Sequence, residues 1–183
     1  MENISKIKLH QLPKGIRLLL MLTVLNLTAG VGVGLYYVAN TTHLSPEGTT
    51  EQFRGSAVDN NFDIPEKFPK PISELLTTTH NHIISMTFIF FIMGGIFYFN
   101  SIITGFWKTF FIAEPFFSIL ATFGGIWVIR FIHPSFAYLV MVSGVLMYLS
   151  FFLMAGTIIY ELSIKKQLFP LWHKTSILRG GGD

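Results

Sequence analysis

Four long runs almost free of charge dominate this chain of 183 residues. The first is IRLLLMLTVLNLTAGVGVGLYYVA, residues 16–39, and the second covers about 75–99. The third covers about 110–130 and the fourth 136–160. A helix needs roughly 20 mostly apolar residues to cross the hydrocarbon core of a bilayer, and each run is long enough. An open sheet leaves backbone groups unpaired in lipid, so the runs are expected to be helices. The expected fold is therefore all-α: one integral membrane domain, an up-down bundle of four helices. Charged residues make up 13% of the chain, against roughly 25% in soluble domains. The first run far exceeds the roughly 7–15 apolar residues of a secretory leader, so it reads as a retained anchor.

Basic residues set the expected orientation. Lys6, Lys8, Lys14 and Arg17 precede the first run, Lys108 precedes the third, and Lys165, Lys166, Lys174 and Arg179 follow the fourth. In the long loop 40–72 and its edge, acids (Glu47, Glu51, Asp59, Asp63, Glu66, Glu74) outnumber Arg54, Lys67 and Lys70. The positive-inside rule then puts both termini in the cytoplasm and that loop outside, with Arg130 the dissenting charge. The expected location is a bacterial inner membrane. The later connections are short, which forces the second, third and fourth spans to run antiparallel. Inside the loop, SPEGTTEQFRG reads as a small helix, with Ser45 as its cap, Pro46 at its first position and Gly55 just past its end.

Small residues mark expected helix contacts: AGVGVG in the first span, Gly94-Gly95 in the second and Gly124-Gly125 in the third. Asn26 and Thr23 are expected to bond between helices. In the fourth span Ser143, Met147, Ser150, Met154 and Thr157 recur every three or four residues and should face the bundle. Glu114 stands in the third span before Pro115, and an ionisable group at membrane depth is a functional hypothesis by default.

The histidines carry the chemical question. Ser73 reads as the cap of the second span, which places His80 and His82 roughly 10–13 Å into the helix at 1.5 Å per residue. Two residues differ by about 200° around a helix, so these two are expected on opposite sides and cannot share one ion. His133, Arg130, His43 and Arg54 collect at the same end, while His10 and His173 carry no role in this reading. One histidine of the second span paired with His133 could hold haem b between helices, with Arg54 and Arg130 meeting its propionates. Respiratory electron transfer, or its assembly, is then the expected function. This is cytochrome-b-like in architecture only. Alternatives are a copper or zinc site from His43, His80 or His82, and His133, or a quinone pocket using a histidine and Arg130. A further one is a non-catalytic subunit whose outer loop docks a partner, and histidines that merely cross-link helix ends complete the set. The chain reads as no enzyme by itself. Its expected partners are the lipid bilayer and respiratory-chain proteins or quinone, with no nucleic acid.

GLYYVANTTHLSPEGTTEQFRGS and FPKPISELLTTTHNHIISMTF carry a Leu-Ser-Pro-x-Gly, Phe-Arg-Gly, Phe-Pro-Lys and Thr-His-x-His pattern. It resembles a group of small bacterial four-helix inner-membrane proteins of no assigned activity, sometimes labelled elongation factor-1 alpha. The resemblance covers about a third of the chain and implies that Arg54, His80 and His82 belong to the group's pattern. The chain has no Gly-x-x-x-x-Gly-Lys-[Ser/Thr] phosphate loop, and four spans exclude a translation GTPase. With no cysteine, thiolate metal sites, disulfides and covalent haem are excluded.

Overall fold

The structure, a computed structural model, describes residues 8–57 and 64–163. His173, Lys6, Asp59, Asp63 and the basic segment after the fourth run lie outside the described residues. A 3-10 turn, Leu9–Gln11, leads into α1 (Lys14–Thr42), α2 (Pro46–Arg54), α3 (Ile72–Tyr98), α4 (Gly105–Phe131) and α5 (Phe136–Ser163). All but α2 are long and apolar enough to cross a membrane. The fold is the all-α, four-helix membrane bundle that the charge-poor runs predict.

Local chemistry places the ends. Extended Pro13 and Pro71 precede α1 and α3. Pro71 rather than Ser73 stands before α3, and Ser73 sits in its first turn, where its carbonyl accepts the Thr77 hydroxyl at 2.9 Å. The short helix α2 begins and ends where its Ser, Pro and Gly predict: Ser45 Oγ accepts the Gly48 N–H at 2.9 Å, and Gly55 closes it at φ 91°. Gly48 admits no side chain, since a Cβ there would lie 2.0 Å from the Thr42 carbonyl oxygen.

Helices α3, α4 and α5 form an antiparallel meander around one core. Phe90, Met93 and Phe97 of α3 meet Ile119, Phe123 and Ile126 of α4 and Phe151, Met154 and Ile158 of α5. Ser143, Met147, Ser150 and Met154 are buried as their spacing predicts, with Thr157 at the edge. Lipid tails are as apolar as leucine, so close packing and polar contacts hold such helices together. Gly125 shows the closeness: a Cβ there would lie 2.5 Å from Val140.

The α1 helix stands apart. It rests on α5, and only 11% of its most apolar window is buried, against 44% for α4. Gly30 and Gly32 have no neighbour within 4 Å of an added Cβ, nor do Gly95 and Gly124. Of the small-residue positions expected to pack, Gly94 and Gly125 do so most clearly. Thr23 and Asn26 bond back to Leu19 and Leu22 of their own helix, not across to another.

Candidate functional site

The described parts of loop 40–72, residues 40–57 and 64–72, lie over one end of the bundle. Ser56 N–H donates to the Lys67 carbonyl at 3.0 Å and Lys70 N–H to the Phe53 carbonyl at 3.1 Å, so the FRG and FPK segments pair. Gly55 lies beneath Pro69, with a Cβ position 2.9 Å from its ring. The two arginines fasten this cap to α4. Arg54 Nη1 donates to the Ile129 carbonyl at 3.4 Å, and Arg130 Nε donates to the Lys70 carbonyl at 3.1 Å. The Arg130 guanidinium also lies 5.0 Å from the centre of the Phe131 ring. Both cations stand at the C-terminal end of α4, where the helix dipole favours them. The structure thus brings Arg54 and Arg130 together, as cap fasteners.

The histidines are not brought together with them into a ligand set. His80 and His82 are both exposed, because α3 is a peripheral helix whose open side is wide enough to include both directions. His82 donates from Nδ1 to the Thr78 carbonyl at 2.9 Å and rests on Phe123, ring centres 5.1 Å apart. Its Nε2 is therefore the unprotonated nitrogen when the ring is neutral. His133 has the opposite assignment: its Nδ1 accepts the Ser135 N–H at 3.2 Å, which places the proton on Nε2. An axial haem ligand needs a free Nε2 lone pair and an Nδ1 that donates outward, so His133 does not fit that role. Among the described residues no three His, Asp or Glu side chains converge on a point that could hold a metal ion. The copper or zinc site of His43, one of His80 and His82, and His133 is therefore not assembled among them; His43 ends α1 in a left-handed turn at φ 52°.

What α3 does present is a polar stripe. Ser73, Thr77, Asn81 and Ser85 follow one another every four residues, His80 lies beside them, and all are exposed. Asn81 is about 14 Å along the helix at 1.5 Å per residue, so the stripe reaches toward mid-membrane. Among the described residues the side chains of His80 and Asn81 have no hydrogen-bond partner. On another side of the same helix, Thr79 Oγ1 accepts the Trp127 indole N–H at 2.8 Å and ties α3 to α4.

Among the described residues two carboxylates are buried. Glu161 is fully buried near the end of α5, at the end of the bundle opposite the cap. It accepts from His10 Nδ1 at 2.9 Å, from Ser101 N–H at 2.7 Å and from Ser101 Oγ at 2.8 Å. His10 is therefore a structural partner, not an incidental residue. Nearby, buried Asn100 accepts the N–H groups of Ile102 and Ile103, and Lys108 donates to the Tyr98 and Asn100 carbonyls. Arg17 donates to the Leu162 carbonyl, which brings the start of α1 and the end of α5 to this same end. Glu114 lies deeper, buried on α4, and accepts from the hydroxyls of Ser118 and Ser150.

A family of transmembrane helical domains matches residues 43–168. The chain belongs to that family. No curated protein and no solved structure matches it. This transmembrane helical domain begins where α1 gives way to the cap, so it takes in α2 to α5 and leaves α1 outside the match. Within it, the Leu-Ser-Pro-x-Gly, Phe-Arg-Gly and Phe-Pro-Lys residues build the cap, and Thr-His-x-His lies on α3, with His80 and His82 exposed. Glu161 escaped the sequence reading because it sits at the ragged end of an apolar run, where an acid looks like a boundary. Its signal would have been the match between an acid at the end of the fourth run and a histidine ahead of the first.

Proposed function

We propose that this chain is a non-catalytic membrane subunit that assembles side by side with a second copy of itself through the polar stripe of α3. The observation that carries this reading is the exposure of Thr77, His80, Asn81 and Ser85 on a helix long and apolar enough to span a bilayer. Side chains of this kind at membrane depth favour a partner that hydrogen-bonds them over lipid tails. Each is uncharged or can be so, and each both donates and accepts. Such a surface is complementary to itself. Two copies in the same orientation about a two-fold axis bring residues of equal depth together, Asn81 against Asn81 and Thr77 against Thr77.

The chain has no cysteine, so single introduced thiols report contacts cleanly. Oxidation of native membranes should link copies carrying Asn81→Cys or Thr77→Cys, and should leave Phe117→Cys, exposed on α4, unlinked. Linking should fall when His80→Leu is added to Thr77→Cys. Equal linking at 81 and 117, or none at 77 and 81, would overturn the reading. A haem reading keeps one point of support, the lone pair left on Nε2 of His82, and would need a second axial ligand. Membranes from haem-replete cells that show no Soret band above background would discard it.

A further inference from the structure

We propose that Glu114 is a proton-binding site reached from the bilayer. It lies ten residues into α4, about 6 Å from the midpoint of that helix at 1.5 Å per residue. It forms the floor of a groove of about 460 Å³ between α4 and α5. Phe110 and Phe117 wall the groove, small Ala113 and Ala121 leave room beside the carboxyl, and Ser118 and Ser143 add the other polar floor atoms. Phe117 is 73% exposed, so the mouth opens on the side of the bundle that faces lipid. The polar seam continues along the α4–α5 contact through Thr122 and Ser143, whose hydroxyls are 2.7 Å apart.

An ionised carboxyl at this depth needs a positive counterpart. Among the described residues no basic side chain supplies one to Glu114. The nearest cation on its own helix, Lys108, is held by the Tyr98 and Asn100 carbonyls, and Arg130 is held by the cap. On α5, Tyr148 is directed at Gly34 of α1, and Glu161 is engaged at the far end. On α3, the titratable His80 and His82 lie on its exposed side. A divalent cation such as calcium would want about six or more oxygen ligands, and here there are one carboxyl and two hydroxyls. A proton needs only the carboxyl. The serines suit both states, since a hydroxyl donates or accepts by rotation. Both donate to the carboxylate. When the acid forms, its O–H donates to one serine, which turns its own hydrogen to a carbonyl one turn back in its helix.

Dicyclohexylcarbodiimide tests this directly, because it partitions into lipid and reacts with the acid form. The carboxyl proton moves to a carbodiimide nitrogen, the carboxyl oxygen bonds to the central carbon, and acyl migration to nitrogen leaves a stable N-acylurea that retains every atom. Full-length protein in its membrane should carry one adduct, located at Glu114 by peptide mass spectrometry, and Glu114→Gln should lose it completely. Labelling should slow several-fold in Ala121→Phe, which keeps the acid and narrows the groove. A charged, water-soluble carbodiimide should not label the site. No adduct at Glu114 in protein with wild-type circular dichroism, equal labelling by the charged reagent, or an unchanged rate in folded Ala121→Phe would each overturn the proposal.

Discussion

Glu161 and Glu114 are both buried acids in a helical bundle, yet their surroundings differ in kind. Glu161 has a histidine, a backbone N–H and a hydroxyl directed at its oxygens. Its partners come from two separate parts of the chain, the turn before α1 and the α3–α4 connection. Glu114 has two hydroxyls, from neighbouring turns of α4 and α5, and a groove beside it. The first carboxylate is the shared acceptor of donors from distant parts of the chain. The second has partners that would satisfy themselves on their own helix carbonyls. Burial alone therefore does not distinguish a structural acid from a working one. What the neighbours would lose does.

The comparison breaks most visibly at Glu161. Replacing it by leucine removes the acceptor of the part-buried Ser101 N–H and His10 Nδ1 donors. The cost should be about 3 kcal/mol or more, as for a buried pair robbed of one partner, seen as a lower midpoint of thermal unfolding in detergent. Glu161→Gln should recover part of this. Next comes the seam that holds Glu114. Gly125→Val sets a branched side chain against Val140 and should cost about 1–3 kcal/mol. Most of that should return when Val140→Ala is added, whereas Gly124→Ala, with open space around it, should cost nothing. Glu114→Gln should cost about 1 kcal/mol or less, because an amide fits the same space and the serines find other acceptors. If it destabilised as much as Glu161→Leu, the contrast between the two acids would collapse. A small loss is expected for Trp127→Phe, about 0.6 kcal/mol, the usual worth of one neutral hydrogen bond between membrane helices. That value sets the scale for the serine contacts of Glu114.

The long elements were legible because membrane crossing imposes a length and a composition that few other constraints mimic. The small helix α2 was legible for a local reason: Ser45, Pro46 and Gly55 each do one thing that neighbouring residues cannot. The direction of side chains was harder to read. His80 and His82 were expected on opposite sides of α3, and geometry does separate them, but a peripheral helix leaves more than half of its circumference free. Asn26 was expected to bridge helices and instead bonds its own turn, because α1 touches the bundle along a narrow line. Arg54 and Arg130 were read as neighbours that could meet an anion, and in the structure each donates to a backbone carbonyl across the contact between cap and α4. The end of α4 supplies the acceptors, and a sequence does not show which carbonyls a fold leaves open. Glu161 and His10 are 151 positions apart, a separation at which no local pattern survives.

The arginine link between the cap and α4 also imposes an order of events on a chain made from its N-terminus. The FRG and FPK segments are synthesised long before Ile129, and Lys70 long before Arg130. Loop 40–72 must therefore cross or wait at the membrane surface with its final anchor absent, and it can settle only after the third spanning helix has arrived. Closure of the cap thus reports that α4 is in place, and a chain interrupted before residue 129 would display that loop open.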